Sequence, residues 1–222
     1  MSTSDKAIFV LINRIATFLS VVFHPLIITT YLFALLFLIT PDLVGVSALE
    51  LPAIGSLLLL IFLNTFVAPA VIIYYFHRFG LVSSLHVDNL RERRLPYLVT
   101  IIIYGFATYL FGWQLQPIGE LAPQISIILA GVTFSLLFVG AVSLFWKISA
   151  HATGIGGAVG MIVAFLMRFD ETLLFIPLLM TIVTGGFLVS ARLYLNAHTP
   201  AQVLAGVTGG LAIGLGTVFF FL

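Results

Sequence analysis

Two imidazoles and a guanidinium stand out in this chain because of where they fall. His151, and the pair Arg192 and His198, lie at the edges of long apolar runs. A cation or imidazole at a hydrocarbon boundary is costly unless it serves a function. Arg192 is the only Lys or Arg after Arg168, and five residues separate it from His198. Two further groups share the pattern: Lys147 with Ser149 and His151, and Arg91 with Arg93 and Arg94. Fixed cations beside two imidazoles suit an anionic group with several oxygens. The cations neutralise charge, one imidazole can attack phosphorus, and the other can protonate the leaving oxygen. Thr199-Pro200 predicts a helix start, with Thr199 as N-cap and Pro200 at the first helical position. The unpaired N–H groups of such an end favour an anion, which places a phosphate between Arg192 and His198.

The elements that must position these groups are membrane spans. Of the 222 residues, 61% are hydrophobic and 8% charged, and the mean hydropathy is +1.23. A soluble domain carries about 25% charged residues, so an all-α polytopic transmembrane bundle of six to seven spans is expected, as one integral membrane domain over residues 1–222. No cysteine is present, which excludes disulfide and thiolate chemistry. Met1 to Lys6 is too brief and too acidic for a signal peptide. Residues 1–20 form an N-terminal interfacial segment, in which Asn13 and Arg14 interrupt an apolar run that lies on the membrane or leads into the first span.

Spans are expected over Val21–Thr40, Pro52–Phe76 (kinked at Pro69), Pro96–Gly112, Gln124–Trp146, Ile148–Met167, Thr172–Ser190 and Val203–Leu222. Counting crossings puts every Lys and Arg except Arg168 on one side, together with all three basic clusters. The positive-inside rule names that side cytoplasmic, but site cations contaminate the count and the orientation stays open. Gly206, Gly210 and Gly214, and Gly156 with Gly160, recur at four-residue spacing and predict close helix packing. Trp113 and Trp146 fit interface anchors.

Arg192, five residues, His198, then Pro200 and Val203-Leu204-Ala205-Gly206 resemble the third signature of the type-2 phosphatidic acid phosphatase superfamily, which includes membrane lipid phosphate phosphatases and vanadium-dependent haloperoxidases. That signature runs Ser-Arg, five residues, His, three residues, Asp. Ile148-Ser149-Ala150-His151 resembles its second motif, Pro-Ser-Gly-His. The resemblance covers residues 147–206. It implies a phosphatase acting on a lipid phosphate or diphosphate (isoprenyl or glycerophospholipid) through a phosphohistidine on His198. Arg192 would bind phosphoryl oxygens, and Ser149 with the backbone near Ala150 would help hold them. His151 would be the general acid, then the base. No metal or other cofactor is implied. The implied partners are the lipid substrate and membrane lipids, with no nucleic acid, in the cytoplasmic membrane of a bacterium.

The sequence departs from the pattern at several points. Gln202 stands where the family has an Asp that orients the nucleophile, and Ala191, Ala150 and Ile148 replace Ser, Gly and Pro. The first motif, Lys, six residues, Arg-Pro, has no match. Asn89-Leu90-Arg91-Glu92-Arg93-Arg94-Leu95-Pro96 is basic and ends in Pro at the wrong spacing, and Lys147 could supply the missing ammonium. Structural readings stand beside these roles. Gln202 completes a capping box with Thr199; His24-Pro25 marks the start of a span; Arg91, Arg93 and Arg94 could touch headgroups or set topology; Asp88 and Glu92 pair with nearby arginines. Arg168, Asp170 and Glu171 form a solvated turn away from the site. A phosphatase-like protein that binds or moves a phospholipid without turnover is the alternative.

Overall fold

The structure is a computed structural model and describes residues 3–84, 90–116 and 118–222. His86, Asp88 and Asn89 lie outside the described residues. Among those described there is no strand. The helices are α1 (Thr3–Val22), α2 (Pro25–Ile39), α3 (Leu51–Phe62), α4 (Ala68–Arg78), α5 (Arg94–Tyr109), α6 (Ile118–Leu121), α7 (Pro123–Val142), α8 (Ala150–Phe169), α9 (Phe175–Tyr194) and α10 (Pro200–Phe221). Among the described residues six stretches are long and apolar enough to cross a membrane: Leu51–Arg78, Arg94–Gln114, Pro123–Val142, Ala150–Phe169, Thr172–Tyr194 and Pro200–Phe221. With the composition, they make this an integral membrane protein.

The expected first span, Val21–Thr40, is broken. Pro25 has no N–H to donate and disfavours helical backbone at the residue before it. His24 accordingly sits at φ −59°, ψ 138°, and the chain bends by 63° between α1 and α2. The 15 residues of α2 reach only about 22 Å, short of a hydrocarbon core of roughly 30 Å. Helix α1 lies across one end of the bundle. Phe9 packs on Tyr194, at the last turn of α9, with ring centroids 6.5 Å apart. The Ser20 carbonyl reaches His151, in the first turn of α8.

Pro69 changes the local hydrogen bonding of its span. The stretch Leu51–Arg78 passes through a π turn at Leu63–Val67 just before it. Proline leaves the carbonyl four residues earlier, that of Thr65, without its helical donor. The Tyr104 hydroxyl donates to that carbonyl at 2.8 Å and lies 3.4 Å from the Thr29 hydroxyl. One buried phenol thus satisfies the orphaned group in an apolar interior and ties α5 to α2 and to the α3–α4 span.

The most buried span is α8, with 61% of its apolar window inside the protein against 22–33% for the other five. It runs parallel to α10, since contact positions rise together in number: Gly206 with Ser149 and Ala152, Gly210 with Thr153 and Gly157, Gly214 with Gly157 and Met161. A methyl group at Gly206 would come within 2.8 Å of the Ser149 carbonyl; at Gly156, Gly160, Gly210 or Gly214 it would overlap partner backbone outright. The expected glycine stripes are therefore a seam. Because the helices are parallel, it brings their two N-termini to the same end.

Candidate active site

Four separate stretches deliver side chains to that end. In the first, the chain leaves α9 just after Arg192, in its last turn. Asn196 then takes a left-handed conformation, φ 49°, which Asn tolerates better than most residues. The Ala197 N–H donates to the Arg192 carbonyl at 3.1 Å. The five-residue gap is therefore one tight turn that folds His198 back beside Arg192.

Helix α10 then begins with a complete capping box. The Thr199 hydroxyl accepts from the Gln202 N–H, and Gln202 Oε1 accepts from the Thr199 N–H at 3.1 Å. The same oxygen lies 3.2 Å from His198 Nδ1. Because the backbone N–H identifies that amide atom as the oxygen, His198 Nδ1 must be the protonated nitrogen. The lone pair then sits on Nε2. The capping role and the role of holding His198 prove to be one arrangement. Burial and the Arg192 guanidinium push the His198 pKa down to about 4, with Arg93 and Lys147 acting in the same direction and the Gln202 hydrogen bond opposing them. At neutral pH the ring is uncharged.

The second stretch is the start of α8. Ser149 is its N-cap, accepting from the Ala152 N–H at 3.3 Å, and it is fully buried. The Ser149 N–H donates to the Gln202 carbonyl at 3.4 Å, joining the two helix starts. His151 follows, and its Nε2 lies 3.0 Å from the Ser20 carbonyl; the carbonyl can only accept, so Nε2 carries the proton. Arg93 supplies the third stretch, donating from Nη1 to the Ile148 carbonyl at 3.3 Å with only 7% of its surface exposed. The fourth is the α1–α2 joint, where His24 places its ring 5.7 Å from that of His151 in an edge-on arrangement.

These groups meet around one cavity of about 130 Å³, whose lining includes His24, Arg93, His151, Arg192 and His198. Tyr97 and Thr100 add hydroxyls, Ala150 adds the first turn of α8, and Pro25, Leu26, Ile73, Pro96 and Leu136 form an apolar wall. Among the described residues no Asp or Glu belongs to the lining, and the charged side chains it includes, Arg93 and Arg192, are positive. Among the described residues no three His, Cys, Asp or Glu are gathered closely enough to hold a metal ion.

The expected residues divide. His198, His151, Arg192, Ala150 and Arg93 line the cavity, whereas Lys147 opens with Asn196, Thr199 and Gln202 onto a neighbouring open vestibule that shares, among the described residues, only His198 with it. Ser149 is turned into its own helix cap and lines neither space. Arg91 and Arg94 are exposed and outside the lining. Of three near-adjacent arginines, only Arg93 faces inward at the turn into α5. Glu92 accepts from the N–H and the hydroxyl of Ser83, at 2.7 and 2.8 Å, and Arg168 donates to the Phe219 carbonyl at 2.7 Å, away from the cavity. His24 was legible only as the start of a span. Its one signal was an imidazole immediately before a proline at the same membrane level as the basic clusters. No protein-family model, curated protein or solved structure matches this chain.

Proposed function

We propose that this chain is a membrane phosphatase that hydrolyses a lipid phosphate or diphosphate through a phosphohistidine on His198. The observation that carries the reading is the single cavity joining Arg93, Arg192, His151 and His198 to an apolar wall. A phosphate head and the first carbons of its lipid need those two surfaces side by side. The resemblance of residues 147–206 to the type-2 phosphatidic acid phosphatases supports it independently.

In this mechanism Arg192 and Arg93 hold the phosphoryl oxygens and neutralise the charge that builds on them. His198 Nε2, neutral and fixed by Gln202 at Nδ1, attacks phosphorus; the bond from phosphorus to the lipid oxygen breaks as the P–N bond forms. His151, whose own proton sits on Nε2 against the Ser20 carbonyl, has its lone pair on Nδ1; there it accepts the proton carried by the monoanionic phosphate ester and passes it to the leaving oxygen. It then takes one from the water that cleaves the P–N bond and frees inorganic phosphate. The vestibule bordered by Lys147 and Asn196 offers that phosphate an aqueous exit past His198.

The test is phosphate release by the purified protein in micelles from phosphatidic acid, phosphatidylglycerophosphate and an isoprenyl phosphate. His198→Ala should abolish release and the acid-labile phosphoenzyme. Activity that survives this substitution rules the nucleophile out.

A phospholipid-binding protein without turnover is the reading that Gln202 favours, since a neutral amide holds the ring without stabilising an imidazolium. If Gln202→Asp creates release that the native chain lacks, this second reading gains.

A further inference from the structure

The α1–α2 joint contributes an imidazole to the cavity that the mechanism above leaves unused. His24 caps α2: its Nδ1 accepts from the Leu26 N–H at 3.4 Å. Asn, Asp, Ser and Thr are the residues that usually do this work, and any of them would serve with a shorter side chain. An imidazole adds a second nitrogen on the far edge of the ring. With Nδ1 accepting, Nε2 is the protonated nitrogen of the neutral ring. The ring is also clamped from the side, edge-on to Phe66 with centroids 6.4 Å apart and edge-on to His151 at 5.7 Å. Three contacts therefore set the orientation of a donor that lines the same space as Arg93, Arg192 and His198. Lys147, the ammonium expected there, borders the vestibule instead.

We infer that His24 is a phosphate-contacting residue, its Nε2–H donating to an oxygen of the phosphoryl group bound in the cavity it shares with the two guanidiniums. The inference rests on the phosphatase-type anion site proposed above, but it concerns binding, which can be measured without turnover. It gives the bend at His24-Pro25 a purpose. Pro25 turns the chain out of α1, and the cap residue of α2 at that joint lines the cavity.

Two near-isosteric substitutions separate the cap from the contact. His24→Asn keeps an acceptor where Nδ1 stands and removes the distal donor. His24→Gln keeps a donor where Nε2 stands and loses the cap acceptor. With inorganic phosphate as the probe, titrated against the full-length protein in micelles, His24→Asn should weaken binding by about ten- to a hundredfold, the worth of a hydrogen bond to a charged group. It should do so without lowering the melting temperature. His24→Gln should melt earlier yet bind phosphate more tightly than His24→Asn. The reverse pattern, with His24→Asn binding as the native chain does and His24→Gln failing, reduces His24 to a helix cap and overturns the inference.

Ring nitrogen spectra of native, ¹⁵N-histidine-labelled protein read the contact without any variant. The His24 Nε2 signal should move when phosphate is added, and a His198 signal that moves alone sinks the idea. Native protein that binds phosphate through His24 but releases none from the lipid panel would remove turnover and leave the contact standing. Release by the native chain, with phosphate affinity unchanged in His24→Asn, would remove the contact alone.

Discussion

The starts of α8 and α10 meet at the same cavity and each presents one imidazole, yet the two rings are oriented by different means. His198 is held by a side chain four residues along its own helix, Gln202. His151 is held by a backbone carbonyl of a distant segment, Ser20. The first arrangement is local and can form as soon as the first turn of α10 does. The second exists only when α1 has docked across the end of the bundle. Local holding can be retuned by one substitution, whereas remote holding depends on packing.

Substitutions can break or sharpen that contrast. The largest effect is expected from His198→Ala, with loss of phosphate release by a factor on the order of 10³ or more. Next comes His151→Ala, which should cost about 10² to 10⁴ in turnover and, in rapid-quench assays, slow both formation and hydrolysis of the phosphoenzyme, because one ring serves as acid in the first step and base in the second. Formation and breakdown both at the native rate would argue against that role.

Gln202→Glu should change the pH profile more than the rate at neutral pH. The native His198 pKa is pushed down to about 4, below the ordinary imidazole value of about 6.5, so the ring stays neutral and nucleophilic down to that pH. A carboxylate at 202 favours the imidazolium and moves the acid limb of the pH–rate curve upward. The same depression has a stability consequence in the native chain. Between about pH 6.5 and 4 the unfolded state takes up a proton on His198 that the folded state refuses. Stability is therefore complete above that window and falls as pH drops through it, which a melting series across the window measures.

Smaller effects test the seam that brings the two starts together. Gly210→Ala would drive a methyl into the Thr153 carbonyl and should destabilise by about 1–3 kcal/mol, read as an earlier melt. Gly186 in α9 has nothing within 4 Å of an added Cβ. Gly186→Ala should be neutral or stabilise by up to about 1 kcal/mol through helix propensity.

How much of this was legible in the sequence varies by element. The helix start at Thr199, the proximity of Arg192 to His198 and the glycine seam were readable, because each depends on spacing within one or two turns. The sequence places the start of a span at His24-Pro25, since proline restricts the residue before it, but it does not contain the 63° angle between the helices on either side. Among Arg91, Arg93 and Arg94, nothing in the local pattern distinguishes the one that turns inward. Residue type alone also did not show that Ser149 is absorbed by its own cap.

By itself, the sequence determined that the chain is a bundle of membrane helices with its cations gathered at one end, since hydropathy and charge placement are additive along the chain. It also determined the capping box that orients His198, because that geometry closes within four residues. Only the tertiary structure decided that Arg93 and His24 share a cavity with His151 and His198, while Lys147 borders the space next door. Those residues come from elements far apart in sequence, and their meeting depends on how closely α8 and α10 approach and where α1 comes to rest. Both are properties of packed surfaces, which no local pattern contains.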